Sequence, residues 1–119
     1  MNNNMYVKSN VLIVEADVEI DHHRAERTRK SVDFIMDNMG IDKIIFDFKE
    51  TQFMDSSGIG LIMGRYEKAK LTGGRVVIAN MNSSVDRVIK MSGLDNKICV
   101  RNSLSEAIDE MNAYKSKNV

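Results

Sequence analysis

The chain contains no proline, no tryptophan and a single cysteine among its 119 residues. A lone cysteine cannot form an internal disulfide, and with only His22 and His23 beside Cys99 there is no zinc-ligand spacing. We expect Cys99 to be a buried, reduced thiol, and we expect no metal or other cofactor. Because no proline or low-complexity tract marks a linker, residues 1–119 are expected to form one domain.

The sequence also lacks an excess of charge and any long apolar run. Seventeen basic and seventeen acidic residues cancel, so no general field attracts nucleic acid or an anionic membrane. The apolar stretches are too short to span a bilayer, and Met1-Asn2-Asn3-Asn4 lacks the regions of a secretory signal. We therefore expect a cytoplasmic protein without direct contact to nucleic acid or membrane.

What the chain does have is an alternation of β-prone and helical patterns, and 43% hydrophobic residues, enough for one sizeable core. Met5 to Lys8 and Val11 to Ala16 are β-prone runs joined by Ser9-Asn10, a pair that favours a hairpin turn. Helical spacing follows from an N-cap candidate at Asp21 to a stop at Gly40. The first half thus predicts a hairpin and an amphipathic helix.

The second half continues the alternation. The apolar run Lys43 to Phe48 predicts a central strand covered on both faces, a helix is expected over Ser57 to Thr72, and Arg75 to Ala79 predicts another buried strand. A helix is expected between a cap at Asn82 and a glycine stop at Gly93, and an edge strand over Lys97 to Val100. Ser103-Leu104-Ser105-Glu106 predicts a capping box that opens a last helix, and Lys115 to Val119 are expected to fray. This order predicts an α/β fold, with a mixed four- to five-stranded sheet, an N-terminal β-hairpin and about four helices.

The residues Phe53-Met54-Asp55-Ser56-Ser57-Gly58-Ile59-Gly60 join a β-prone run to the second predicted helix. A serine here can cap the helix through its side-chain oxygen, which is the common role of serine at this position. A phosphate on the same oxygen would instead face unpaired backbone N–H groups and the positive end of the helix dipole. The junction therefore predicts either a plain cap or a site for a reversible phosphate.

Two glycines follow the serines and have two explanations. The missing side chain lets a partner approach the backbone, or it lets the helix pack tightly against the sheet. We expect packing to explain Gly60 more than Gly58, because Gly58 directly follows the serines.

Enzyme motifs are not satisfied. Met54 stands where a hydrolase nucleophile elbow requires glycine, and both histidines precede the serines. Gly58, Gly60 and Gly64 have the wrong spacing for a dinucleotide loop, and no Walker lysine follows. Asp47 has no acidic neighbour for a phosphoaspartyl site and is expected to make a helix contact or a strand-end hydrogen bond. We expect no catalytic residue.

The serine junction, Asp21-His22-His23 and Met91-Ser92-Gly93-Leu94 together resemble the bacterial anti-sigma factor antagonists of the STAS superfamily. Gly64-Arg65-Tyr66 and the doubled histidine make the chain most similar to members that act in sporulation. The resemblance spans nearly the whole chain. It implies one STAS domain in a partner-switching circuit, in which the unmodified protein binds an anti-sigma factor that is also a serine kinase and so frees the sigma factor.

The same resemblance implies roles for particular residues. It makes Ser56 the phosphoacceptor, with phosphorylation abolishing partner binding and a separate metal-dependent serine phosphatase reversing it. It also implies that the partner contacts acidic residues before the first helix and residues of the junction: Glu19, Asp21, Asp55, Ser57, Gly58, Ile59 and Gly60. The alternatives are capping for Asp21 and, for the whole chain, a STAS scaffold or nucleotide-binding regulatory module without a phosphorylation cycle.

Overall fold

An antiparallel hairpin opens the fold, as the sequence predicts. The computed structural model describes residues 4–114, so the expected fraying of residues 115–119 lies outside the described part. Strands β1 (Asn4–Lys8) and β2 (Val11–Glu15) pair in antiparallel register. The turn holds Ser9 at φ 52° and Asn10 at φ 66°. Positive φ at both central residues gives the two-residue turn whose twist matches that of the strands.

The first helix has both predicted ends. After a two-residue strand, β3 (Glu19–Ile20), α1 runs over His22–Met39. A side-chain oxygen of Asp21 accepts a hydrogen bond from the backbone N–H of Arg24 at 2.9 Å, which satisfies one of the unpaired N–H groups of the first turn. Gly40 ends the helix in the left-handed region at φ 64°, where a side chain would be strained.

Five strands form the main sheet. The remaining strands within residues 4–114 are β4 (Lys43–Asp47), β5 (Phe53–Met54), β6 (Arg75–Ala79) and β7 (Cys99–Arg101). The order across the main sheet is β1-β2-β4-β6-β7, with only the first pair antiparallel. The residues Ile44, Ile45 and Phe46 of the middle strand β4 are fully buried, which confirms the prediction of a central strand covered on both faces.

Helices cover both faces of this sheet. They are α2 (Ser56–Lys70), α3 (Ser83–Ser92) and α4 (Leu104–Ala113), so the predicted mixed sheet with about four helices is confirmed. Core residues on one face pack with α1, α2 and α3, and those on the other pack with α4. Asn82 caps α3 as predicted. In the predicted capping box Ser103 caps α4, but the Glu106 carboxylate accepts from the N–H of Asn102, one residue before the cap.

A second, two-stranded sheet was not predicted. Strands β3 and β5 pair in parallel, with Glu19 opposite Phe53 and Ile20 opposite Met54. Two-residue strands are too short to show a periodic pattern, so this pairing could not be predicted from hydrophobic spacing. The small sheet matters because it brings the segment before α1 beside the junction before α2.

The expectation of a buried thiol is wrong, because Cys99 is free but only half-buried. It lies on β7, an edge strand that pairs on one side only. Within residues 4–114, no helix is both long enough and apolar enough to cross a bilayer.

Candidate functional site

Ser56 is the first residue of α2 and is exposed to solvent. The cap of this helix is Asp55, whose Oδ1 accepts a hydrogen bond from the N–H of Ser57 at 2.8 Å. The interpretation of Ser56 as the plain helix cap is therefore wrong, and so is the predicted helix start at Ser57. Because the neighbouring carboxylate caps the helix, the Ser56 side chain lies at the helix start without that structural task.

The small sheet brings the amino ends of α1 and α2 together. The N–H of Asp55 donates to the C=O of Ile20 at 3.1 Å, next to the α1 cap at Asp21. Side chains that alternate along short strands face opposite ways: Ile20 and Met54 are buried, whereas Glu19 and Phe53 are exposed. The exposed side is called here the junction surface, and it consists of Glu19, Asp21, Phe53, Asp55 and Ser56.

The two serines of the junction differ in their surroundings. Ser57 is half-buried and lines a cleft of about 230 Å³ between α1 and α2. The other residues of that cleft are His22, Ala25, Glu26, Arg29, Gly60 and Leu61. Ser56 does not line this cleft and is the more accessible of the two hydroxyls.

The packing of the two glycines is the reverse of what the sequence predicts. Gly58 is buried, and a Cβ there would lie 2.2 Å from Sδ of Met54, closer than any real contact. Gly60 is exposed, and a Cβ there would meet nothing within 4 Å. Our expectation that packing explains Gly60 more than Gly58 is therefore wrong. Ile59 between them is half-buried.

The acidic residues before α1 are held by one internal cation. The guanidinium Nη1 of Arg24 lies 3.4 Å from Oδ2 of Asp21 and 3.8 Å from Oε1 of Glu19. These pairs are largely solvated, so they contribute little to stability. Both carboxylates therefore remain available to a basic group from outside, although Asp21 is also the α1 cap.

Low pH should remove the stability that the ionised Asp21 carboxylate contributes as the α1 cap. Its pKa lies below the usual value, chiefly because the carboxylate accepts the N–H of Arg24 and also because the positive Arg24 side chain lies nearby. A lowered folded-state pKa adds stability above the unfolded-state pKa, and this stability is lost as pH falls through the folded-state value. Asp21→Asn keeps a capping oxygen but cannot titrate. We expect the difference in unfolding free energy between wild type and variant to shrink below about pH 4 in urea titrations; a constant difference would contradict this.

Ion pairs that the sequence did not reveal connect α1 to α2. Arg65 is buried on α2, and its Nε lies 3.0 Å from Oδ1 of Asp33 on α1 without hydrogen-bond alignment. Burial lowers the pKa of Arg65, partly offset by Asp33. Asp33 also pairs with Arg29 and Lys68, and Lys68 reaches Asp37. The charged group of the Gly64-Arg65-Tyr66 segment thus lies in an ion pair between the two helices whose ends form the junction surface.

The remaining candidate residues have ordinary structural roles. His22 and His23 are exposed, and no group of three or more potential metal ligands occurs among the residues that the structure covers. Asp47 is buried at the end of β4, and its Oδ1 accepts from the N–H of Lys49 and the side-chain amide of Asn80. The predicted strand-end hydrogen bond of Asp47 is confirmed.

Comparisons with known proteins agree with this geometry. The family model described as STAS domain matches residues 2–107. The chain is 35% identical over 101 residues to the anti-sigma F factor antagonist of Paenibacillus polymyxa, which covers 85% of this chain and 86% of the relative. The chain therefore belongs to the STAS domain family and, within it, to the anti-sigma factor antagonists, as the sequence resemblance implied.

Two solved structures have the same fold as this chain. An anti-sigma factor antagonist of Thermotoga maritima has a TM-score of 0.83 at 23% identity, over 92% of this chain and 94% of that one, and shows the common fold. The Bacillus cell fate determinant SpoIIAA in its phosphorylated form has a TM-score of 0.73 at 28% identity, over 91% of this chain and 97% of that one. Anti-sigma factor antagonists are regulatory proteins.

Proposed function

We propose that this chain is the phosphorylatable member of a partner-switching circuit that controls a sporulation sigma factor. Its unphosphorylated form binds an anti-sigma factor serine kinase and so releases the sigma factor, and phosphorylation of Ser56 abolishes that binding. The observation that carries the proposal is that Ser56, the first residue of α2, is exposed, while the neighbouring Asp55 caps the helix. The names of the relatives support it, since one antagonises an anti-sigma F factor and another has been solved phosphorylated.

The start of α2 is suited to a removable phosphate. A phosphoserine carries about −1.5 to −2 charges, and the amino end of a helix stabilises negative charge through its dipole and free N–H groups. Because Ser56 is exposed, a kinase and a phosphatase can both reach its oxygen. We assign the reverse step to a separate metal-dependent serine phosphatase.

Phosphorylation ends partner binding through the local cost of desolvating the phosphate. Asp55 already places a carboxylate beside the phosphoacceptor, and Glu19 and Asp21 lie on the same junction surface. A docked partner must approach this negative surface, and the phosphate adds a dianion that the partner would have to desolvate. The helix cap belongs to Asp55, so the modification need not unfold α2.

The direct test is phosphate transfer from the partner. Purified chain mixed with ATP and the anti-sigma factor kinase of the same organism should gain one phosphate by intact mass, and fragment masses should place it on Ser56. If no phosphate is gained while the two proteins still bind, the chain acts as a STAS scaffold. If it binds nucleotide without the kinase, it acts as a nucleotide-binding regulatory module.

The acidic contacts predict a specific effect of charge on partner binding. Glu19→Lys should weaken binding of the kinase about tenfold, mainly through a slower association rate, because a reversed charge at the edge of an interface removes electrostatic steering. The measurement is association kinetics at two salt concentrations. Glu67→Lys is the matched control, since Glu67 is an exposed glutamate on α2 outside the junction surface. Equal association rates for the two variants would remove Glu19 from the interface.

A further inference from the structure

The junction surface presents an aromatic side chain to solvent. Phe53 is 51% exposed, and Val18 beside the same strands is 50% exposed. Single exposed apolar side chains are common on protein surfaces, so what distinguishes Phe53 is its position. Phe53 lies three residues before the proposed phosphoacceptor Ser56.

Phe53 is held in place by the small sheet. Its N–H donates to the C=O of Val18 at 3.3 Å, and the N–H of Gln52 donates to the same oxygen at 2.7 Å. On the opposite face of the sheet, Ile20 and Met54 are buried in the main core. The aromatic ring therefore projects from a supported strand, which lowers the entropy cost of using it for binding.

The charges around Phe53 are acidic. Glu19 is its cross-strand partner, and Asp21 and Asp55 cap the two adjoining helices. Arg24 is placed between Glu19 and Asp21 and partly neutralises them. An apolar centre with a polar, charged rim is the usual arrangement of an interface hot spot.

We propose that Phe53 is the apolar anchor by which the junction surface binds the anti-sigma factor kinase, and that the kinase receives it in an apolar pocket bordered by basic side chains. This inference rests on the proposed function and deepens it. It commits to the kinase because the anchor is continuous with Ser56, which the kinase must reach, and because the acidic rim complements a basic partner. The aromatic anchor sets affinity, whereas Ser56 sets the state of the switch.

Another exposed phenylalanine provides a matched control. Phe34 is 67% exposed, more than Phe53, but lies on α1 about 18 Å along the helix from its first residue. If exposed aromatic area alone favoured binding, both residues would contribute. If the junction surface is the interface, only Phe53 will.

The test compares Phe53→Ala, Phe53→Leu and Phe34→Ala for binding to the purified kinase by the unphosphorylated full chain. We expect Phe53→Ala to raise Kd about 30-fold, mostly through faster dissociation and with unchanged salt dependence. Phe53→Leu should recover most of the affinity, and Phe34→Ala should bind like wild type. Urea midpoints identify any variant that has lost its fold. If Phe53→Ala has, Phe53→Gln takes its place, since it keeps a long side chain at this exposed position but removes the apolar ring and should also raise Kd.

Three results would overturn the inference. Wild-type affinity in a folded Phe53→Ala variant rules out the anchor while leaving the proposed function intact. Concentration-dependent self-association that Phe53→Ala abolishes, with kinase affinity unchanged, assigns the surface to a second copy of the chain. A wild-type chain that neither binds the kinase nor accepts phosphate refutes the proposed function itself, and the anchor with it.

Discussion

Replacing Ser56 with alanine should abolish phosphate transfer from the anti-sigma factor kinase and leave an antagonist that stays active. The variant lacks the side-chain hydroxyl that the first residue of α2 presents to a kinase, and Asp55 still caps the helix. The fold and the unmodified junction surface should therefore be retained. Phosphate incorporation over time, together with Kd for the kinase before and after incubation with ATP, measures both parts of this expectation.

Ser57→Ala is the matched control for this experiment. Ser57 lines the cleft between α1 and α2, and its contribution to the cap is its backbone N–H, which alanine retains. Phosphorylation of Ser57→Ala should therefore proceed, with at most a modest loss of rate. Undiminished phosphate incorporation in Ser56→Ala, or its loss only in Ser57→Ala, would show that the acceptor has been misassigned.

Gly58→Ala should destabilise the protein, whereas the same change two residues later should not. A Cβ at Gly58 would lie 2.2 Å from Sδ and 2.3 Å from Cγ of Met54, which is itself buried. Overpacking of this kind costs about 1–3 kcal/mol of unfolding free energy, more than the gain in helix propensity from alanine. Urea or thermal denaturation measures the loss.

Gly60→Ala supplies the opposite expectation in the same helix. A Cβ at Gly60 would meet nothing within 4 Å, and glycine in a helix interior is about 0.5–1 kcal/mol less favourable than alanine. The variant should therefore be more stable than wild type by about that amount. Equal stabilities for the two alanine variants would mean that Met54 moves aside without cost and that Gly58 is not required for packing.

Local chemistry explains why much of the fold could be predicted. The caps Asp21, Asn82 and Ser103 and the left-handed glycines Gly40 and Gly93 lie where the sequence indicated, because each satisfies backbone groups within its own turn. The apolar pattern of a strand likewise predicts whether one or both of its faces are buried. The two-stranded sheet escaped prediction because each of its strands has only two residues.

The serine junction shows the limit of such reasoning. Aspartate and serine are both good caps, so the sequence does not choose between Asp55 and Ser56. The choice comes from the N–H of Asp55, which bonds to the C=O of Ile20 and keeps Asp55 extended, at φ −97° and ψ −171°, until the helix begins one residue later. That bond joins residues far apart in the chain.

The sequence by itself determined the order of the helices and of the main-sheet strands, most of their ends and the position of the serine junction, because these depend on neighbouring residues and on hydrophobic periodicity. Tertiary structure alone decided that Ser56 is exposed, that Gly58 and not Gly60 packs against Met54, and that Glu19 stands beside Phe53. Each of these facts depends on which distant segments come into contact, and the side-chain spacing within one segment does not determine those contacts.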